Sequence, residues 1–382
     1  MTNKNISTKP RYELLDGLRG VAALMVIIYH TFECFPADTW IIGHGYLAVD
    51  FFCILSGFVI GYAYDDRWVR PGNDKPGLSF WGFVKRRLIR LHPMVIMGVI
   101  IGVIAFIYQG GTDWAGNKAT ISAIMLATLL GMFLIPATPG GCYEVRGNGE
   151  MFPLNGPHWS LFFEYIGNLM YALFIRRFST TVLTIWTLLL AVVFAWFCIT
   201  DVVGYGNIGV GWTVADGNFY GGLLRMTVSY SLGLLMSRVF KPAKVNHAFL
   251  LCSLIVIAFL SVPCLGTGDQ AWLNCTYEVA CVLLVFPIVV WLAACGSTTQ
   301  AQPSKLCTFL GDISYPLYAV HYPSMYVFYA YIGFPETWRT PAECWQYMAL
   351  LVVGNIILAY AVLKLYDLPL RRYLTKRLQS NK

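Results

Sequence analysis

Eleven long apolar runs follow one another with few breaks, at about 17–35, 46–64, 93–109, 119–136, 159–176, 181–200, 219–239, 248–265, 273–294, 312–333 and 345–366. A soluble core has no room for so many, whereas roughly 20 apolar residues are what a helix needs to cross the hydrocarbon of a bilayer. Composition agrees: 57% of the 382 residues are hydrophobic and 12% are charged, against about 25% charged in soluble domains. The chain is expected to be all-α, a polytopic transmembrane helical bundle forming a single integral-membrane domain over residues 1–382. Only a short tail at 1–12 and a short basic tail at 368–382 should lie outside the bundle.

The net charge of +7 could belong to a nucleic-acid binder, but its distribution is that of a membrane protein. Lys4, Lys9 and Arg11 precede the first run, and Arg67, Arg70, Lys75, Lys85, Arg86, Arg87 and Arg90 follow the second. Basic connections stay in the cytoplasm. Counting from both ends, eleven full crossings would put some of these segments on the wrong side, so one run must fail to cross. The run at 119–136 leads into IPATPGGCYEVRGNGEMFPLNGPHW, a stretch that lipid tolerates only when protein or a cavity covers it. The expectation is about ten spans, a re-entrant or interfacial segment near 119–158, and both termini on the cytoplasmic side of the cell's inner membrane. The first run is followed by FPADTW instead of a small-residue cleavage site, so it is retained. The eleven cysteines form no CxxC pair or zinc-like spacing; Cys142, Cys264, Cys275 and Cys344 are expected in external loops.

Ionisable residues inside spans are costly and mark function by default. The first run, LDGLRGVAALMVIIYHTF, carries Arg19 and His30 with ten residues between them. At 100° per residue their eleven-position offset comes within about 20° of three full turns and rises roughly 16 Å, so both face one way at different depths. Asp50, Glu164, Arg225 and Glu278 are expected in the outer half near His30, where a carboxylate would fix the tautomer of an imidazole. Plainer readings remain open: a hydrogen-bonded core histidine, a helix-dipole role for Asp50, a Glu164–Arg225 ion pair and an Arg19 that snorkels. On the inner side, FVKRRLIRLHP places Arg86, Arg87 and Arg90 on one helical surface. Such guanidinium forks suit phosphates, and equally suit anionic headgroups.

LDGLRGVAALMVIIYH, GYLAVDFFCILSGFVIG, KRRLIRLHP, HWSLFFEY, LGDISYPLYAVHYP and YDLPLRRYL, in that order, resemble the motif series of acyltransferase family 3, bacterial integral-membrane O-acyltransferases. The resemblance implies transfer of an acyl group, usually acetyl, from cytoplasmic acyl-CoA to a hydroxyl of a glycan or lipid-linked saccharide. It implies that Arg19 and His30 are the essential pair and that Arg87 and Arg90 hold CoA phosphates. Asp367 stands where the family usually has glutamate.

Residues and resemblance together predict His30 as general base, supported by Asp50, Arg19 and Glu164. The donor acyl-CoA would be held by Arg87, Arg90, Arg86 and Arg19. Ser160, Tyr315, His321 and Arg225 are candidates for substrate contact or oxyanion stabilisation. No metal and no nucleic acid enter this scheme; the partners are acyl-CoA, the saccharide and the bilayer. The competing class is a proton- or anion-coupled transporter or glycan exporter without covalent chemistry.

Overall fold

The computed structural model describes residues 12–68, 77–299, 304–333, 336 and 339–380. Lys4, Lys9, Arg11, Arg70 and Lys75 lie outside the described residues. The chain runs through helices α1 (Glu13–Phe32), α2 (Ala48–Tyr64), α3 (Phe80–Tyr108), α4 (Ile121–Met132), α5 (His158–Leu173), α6 (Thr180–Ile199) and α7 (Asn218–Val239). It continues through α8 (Ala248–Leu260), α9 (Ala271–Ala280), α10 (Phe286–Thr299), α11 (Lys305–Val320), α12 (Tyr322–Ile332), α13 (Pro341–Val362) and α14 (Leu368–Ser380). No strand occurs among the described residues.

Among the described residues, six helical stretches are long and apolar enough to cross a membrane: Glu13–Phe32, Gly45–Tyr64, Phe80–Tyr108, Thr180–Ile199, Gly268–Ser297 and Pro341–Leu378. The long Gly268–Ser297 stretch joins α9 to α10 through a π-helical turn at Cys281–Val285. A second π turn, Leu363–Asp367, joins α13 to the basic helix α14.

Helix α4 has 12 residues and is therefore about 18 Å long, short of the roughly 30 Å of hydrocarbon. The irregular chain after it folds back into protein. There the buried Arg146 stacks its guanidinium 3.5 Å from the Tyr326 ring centre. It donates from Nε to the Pro153 carbonyl at 2.6 Å and from Nη2 to Gln109 at 3.2 Å.

At the centre α2 packs along α7 and α1 along α11, the two most extensive helix pairings. Each pair needs close backbone approach. A Cβ on Gly57 would collide with the Tyr230 carbonyl of α7, and one on Gly20 with the Leu310 carbonyl of α11. Helices α1, α2 and α11, together with α3 and α5, border the space where the ionisable side chains gather. Pro93 lies within α3, and two residues before it the Leu91 carbonyl accepts the Tyr315 hydroxyl at 2.5 Å. None of the eleven cysteines forms a disulfide, and Cys275 and Cys344, expected in external loops, are buried in α9 and α13.

Candidate active site

Helix α1 borders two cavities. The inner one, about 360 Å³, is lined by Arg19, Arg67, Arg87 and Arg90 together with Asp16 and Glu164. The outer one, about 880 Å³, is lined by His30, Glu33 and Glu150, and by aromatic side chains that include Trp40, Trp159, Tyr205 and Trp212. Val49 and Tyr318 line both. The same-facing Arg19 and His30 of α1 thus address two adjoining spaces, one guanidinium-rich and one aromatic and carboxylate-bearing.

In the inner cavity Arg19 donates to Asp16, one turn earlier on α1, at 3.1 Å. Arg87 donates to Glu164 at 2.9 Å, and the same carboxylate oxygen accepts from Ser56 at 2.8 Å. Glu164 therefore sits with the inner arginines and does not join Arg225 or His30 as the sequence led one to expect. The reason is depth: Glu164 lies on the same α5 face as Ser160 but one turn further along, where it meets Ser56 of α2 and Arg87 of α3, while Ser160 meets Tyr318. Arg86 is exposed and points away from the cavity that Arg87 and Arg90 line. Two carboxylates against four arginines leave this space positively charged and fit for an anion.

In the outer cavity His30 Nδ1 lies 2.8 Å from Glu33 Oε2, three residues on. The other oxygen of Glu33 accepts from Tyr329 at 2.7 Å and Tyr322 at 3.1 Å. Burial raises the Glu33 carboxyl, but the His30 ring and the two tyrosine hydroxyls outweigh it and hold the group below its ordinary range. An ionised Glu33 accepts the hydrogen bond that His30 Nδ1–H donates and leaves Nε2 facing away as the basic position. His30 stacks on His321, ring centres 5.5 Å apart, and meets Tyr322 edge-on at 4.8 Å.

Asp50 does not orient His30. It forms a buried two-pronged pair with Arg225, at 2.6 and 3.2 Å, and Arg225 also donates to the Val210 carbonyl at 2.8 Å and the Tyr46 carbonyl at 3.3 Å. The two bonds to Asp50 clamp α2 to α7, and the two carbonyls tie Arg225 to the chain ahead of each helix. Glu278 serves a separate knot, accepting from Tyr46, from Asn274 at 2.9 Å and from the Ile208 amide at 2.7 Å.

Among the four candidates for substrate contact or oxyanion stabilisation, Arg225 is engaged by Asp50 and two carbonyls, and hydrogen bonding removes two more. The Tyr315 hydroxyl is spent on the Leu91 carbonyl. His321 Nδ1 lies 2.9 Å and 3.2 Å from the carbonyls of Tyr318 and Leu317, so that nitrogen carries the proton and Nε2 is a bare acceptor, buried and without a partner. Ser160 remains, 2.6 Å from the Tyr318 hydroxyl. Sequence reasoning missed Glu33 and Tyr318. Glu33 was within reach of the i, i+3 rule, which pairs it with His30 on one helix face.

The family model described as an acyltransferase domain matches residues 12–364. The chain belongs to acyltransferase family 3. Within the curated relatives, this acyltransferase is 34% identical over 172 residues to protein 2 in the picA locus of Rhizobium radiobacter, covering 44% of the chain and 83% of that protein. It is 38% identical over 93 residues to the O-acetyltransferase OatA of Staphylococcus aureus, covering 24% of the chain but only 14% of OatA. No solved structure matches the acyltransferase.

Proposed function

We propose that this acyltransferase moves an acetyl group from cytoplasmic acyl-CoA to a hydroxyl of a glycan or lipid-linked saccharide, and that it does so across about ten spans of the cell's inner membrane with both termini in the cytoplasm. The observation that carries the reading is the abutment of the arginine-lined and His30-lined cavities at Val49 and Tyr318. CoA phosphates have a fitting place among Arg19, Arg87 and Arg90, because guanidinium forks match phosphate oxygens in two-point contacts. From there the acyl-bearing arm extends toward Tyr318. Aromatic faces beside carboxylate and amide groups in the outer cavity suit a saccharide, whose C–H faces stack and whose hydroxyls hydrogen-bond.

The chemistry is acyl transfer by general-base catalysis. Glu33 holds His30 with Nε2 free; Nε2 accepts the proton of the acceptor hydroxyl as its oxygen attacks the thioester carbon. Collapse of the tetrahedral species breaks the C–S bond, and His30 returns the proton to sulfur, so the products are an ester and CoA thiol. No proton or redox equivalent is left over.

The test uses inside-out vesicles from cells that produce the protein, supplied with acetyl-labelled acetyl-CoA. Label is expected in lumenal or membrane-bound glycan with the wild type and not with His30→Ala of equal abundance. Label that remains on CoA in both, or equal transfer by both proteins, overturns the reading; solute accumulation without covalent label would point to transport.

A further inference from the structure

We infer that Tyr318 donates the hydrogen bond that stabilises the oxyanion of the transfer step, with Ser160 as the group that polarises it; this inference rests on the acyl-transfer reading above. The argument begins with position. A thioester arriving through the inner cavity and a hydroxyl arriving through the outer one can meet only where the two spaces adjoin, and Tyr318 is the one polar side chain among the described residues that lines both. Its neighbour at that boundary, Val49, has nothing to donate.

Hydrogen-bond accounting supplies the second step. Ser160 Oγ lies 3.0 Å from the Pro157 carbonyl and 2.6 Å from Tyr318 Oη, and Tyr318 Oη lies 3.4 Å from the same carbonyl. Two hydroxyl protons therefore share one carbonyl acceptor, at an almost fully buried site. When Ser160 turns its proton to Tyr318 Oη, the Tyr318 proton is released to point into the junction, and the bond received makes that proton a stronger donor. Neither Tyr315 nor His321 can do this, since the donating hydrogen of each is committed to backbone carbonyls. Packing fixes the ring meanwhile: Phe52 meets it edge-on at 5.5 Å, and His321 lies 5.8 Å away between Tyr318 and His30.

The step follows. As the acceptor oxygen bonds to the thioester carbon and its proton passes to His30 Nε2, the carbonyl π pair moves onto oxygen, where Tyr318 Oη–H donates to it. When the C–S bond breaks the carbonyl re-forms, sulfur takes the proton from His30, and Tyr318 resumes its bond to Ser160. Tyr318 itself remains protonated throughout.

Tyr318→Phe keeps the ring and deletes the donor. In the vesicle assay, with the membrane's own glycan as acceptor and labelled acetyl-CoA as the probe, the expected result is a fall of about 10²–10³ in kcat, with the KM for acetyl-CoA within about twofold and the detergent thermal midpoint unchanged. A kcat equal to that of the wild type overturns the inference while leaving acyl transfer intact, and so does a raised KM at unchanged kcat, which would mark a ground-state contact. Absence of transfer by the wild type would sink the functional reading first. Should Tyr318→Phe fail to accumulate, Ser160→Ala decides the matter: it leaves the tyrosine in place, and a drop in kcat of roughly tenfold at constant KM is expected for loss of one polarising bond, an unchanged kcat being the contrary result.

Discussion

At the residue scale, the least conspicuous group in the sequence has the most direct bearing on chemistry. Glu33 follows His30 by three positions at the end of α1, and its two oxygens take His30 on one side and two tyrosine hydroxyls on the other. Glu33→Gln conserves shape and hydrogen bonding but removes the charge that holds the basic tautomer in place. We expect kcat to fall by about 10²–10⁴, the range seen when the orienting carboxylate of a catalytic histidine is neutralised, with the KM for acetyl-CoA unchanged in the vesicle assay. A kcat within threefold of the wild type would mean that His30 needs no anionic partner. The Arg19–His30 relation was legible in the sequence because both lie on one helix and helical phase is fixed by counting. The identity of the carboxylate was less so: Asp50 and Glu33 are both acidic and both near in sequence, and only the packing of α2 against α7 turns Asp50 away toward Arg225.

At the element scale, the α2–α7 pairing combines glycine contact with a buried ion pair. Asp50 and Arg225 are 1% and 3% exposed, deep enough that either charge left alone would be unsolvated. Arg225→Met is expected to destabilise the detergent-solubilised protein by about 3–5 kcal/mol, while Asp50→Leu combined with Arg225→Met should recover most of that loss, as apolar replacements of buried pairs commonly do. Thermal midpoints of the two variants check this; similar losses in both would show that the carbonyls of Val210 and Tyr46, not the charge pair, set the value of Arg225. Element types were readable from apolar periodicity, and the glycine- and proline-rich sequel of 119–136 marked chain that needs protein around it, as the burial of Arg146 there shows. Partners across helices were not, because residues 175 positions apart meet through helix rotation that no local pattern encodes. Glu164 illustrates the point: span direction placed it in the outer half near His30, yet the packing of α5 against α3 sets it deeper, beside Arg87.

At the scale of the whole molecule, two cavities of unlike chemistry meet end to end along α1, which on the proposed reading would give donor and acceptor separate recognition. The inner space holds four arginines, of which Arg19 and Arg87 already face carboxylates; a polyphosphate would compete with Asp16 and Glu164 for them and engage Arg90 directly. Because none of these arginines lines the outer cavity, weakening them should act on the donor alone. Changing Arg87 and Arg90 together to Gln removes two guanidinium forks, each expected to contribute about 1.5–3 kcal/mol through charged hydrogen bonds, so the KM for acetyl-CoA should rise by at least tenfold. The apparent KM for acceptor glycan should stay within twofold of the wild type, since the aromatic and carboxylate lining is untouched. The same logic predicts sidedness: desulfo-CoA added to inside-out vesicles should inhibit competitively with acetyl-CoA, and the same compound enclosed in right-side-out spheroplast vesicles, where it faces the inner cavity only from the lumen, should inhibit as well, whereas addition to the outside of spheroplasts should have no effect. Equal changes in both KM values, or inhibition from the outer face, would mean that the arginines anchor the bundle to lipid headgroups and that the donor reaches Tyr318 by another way.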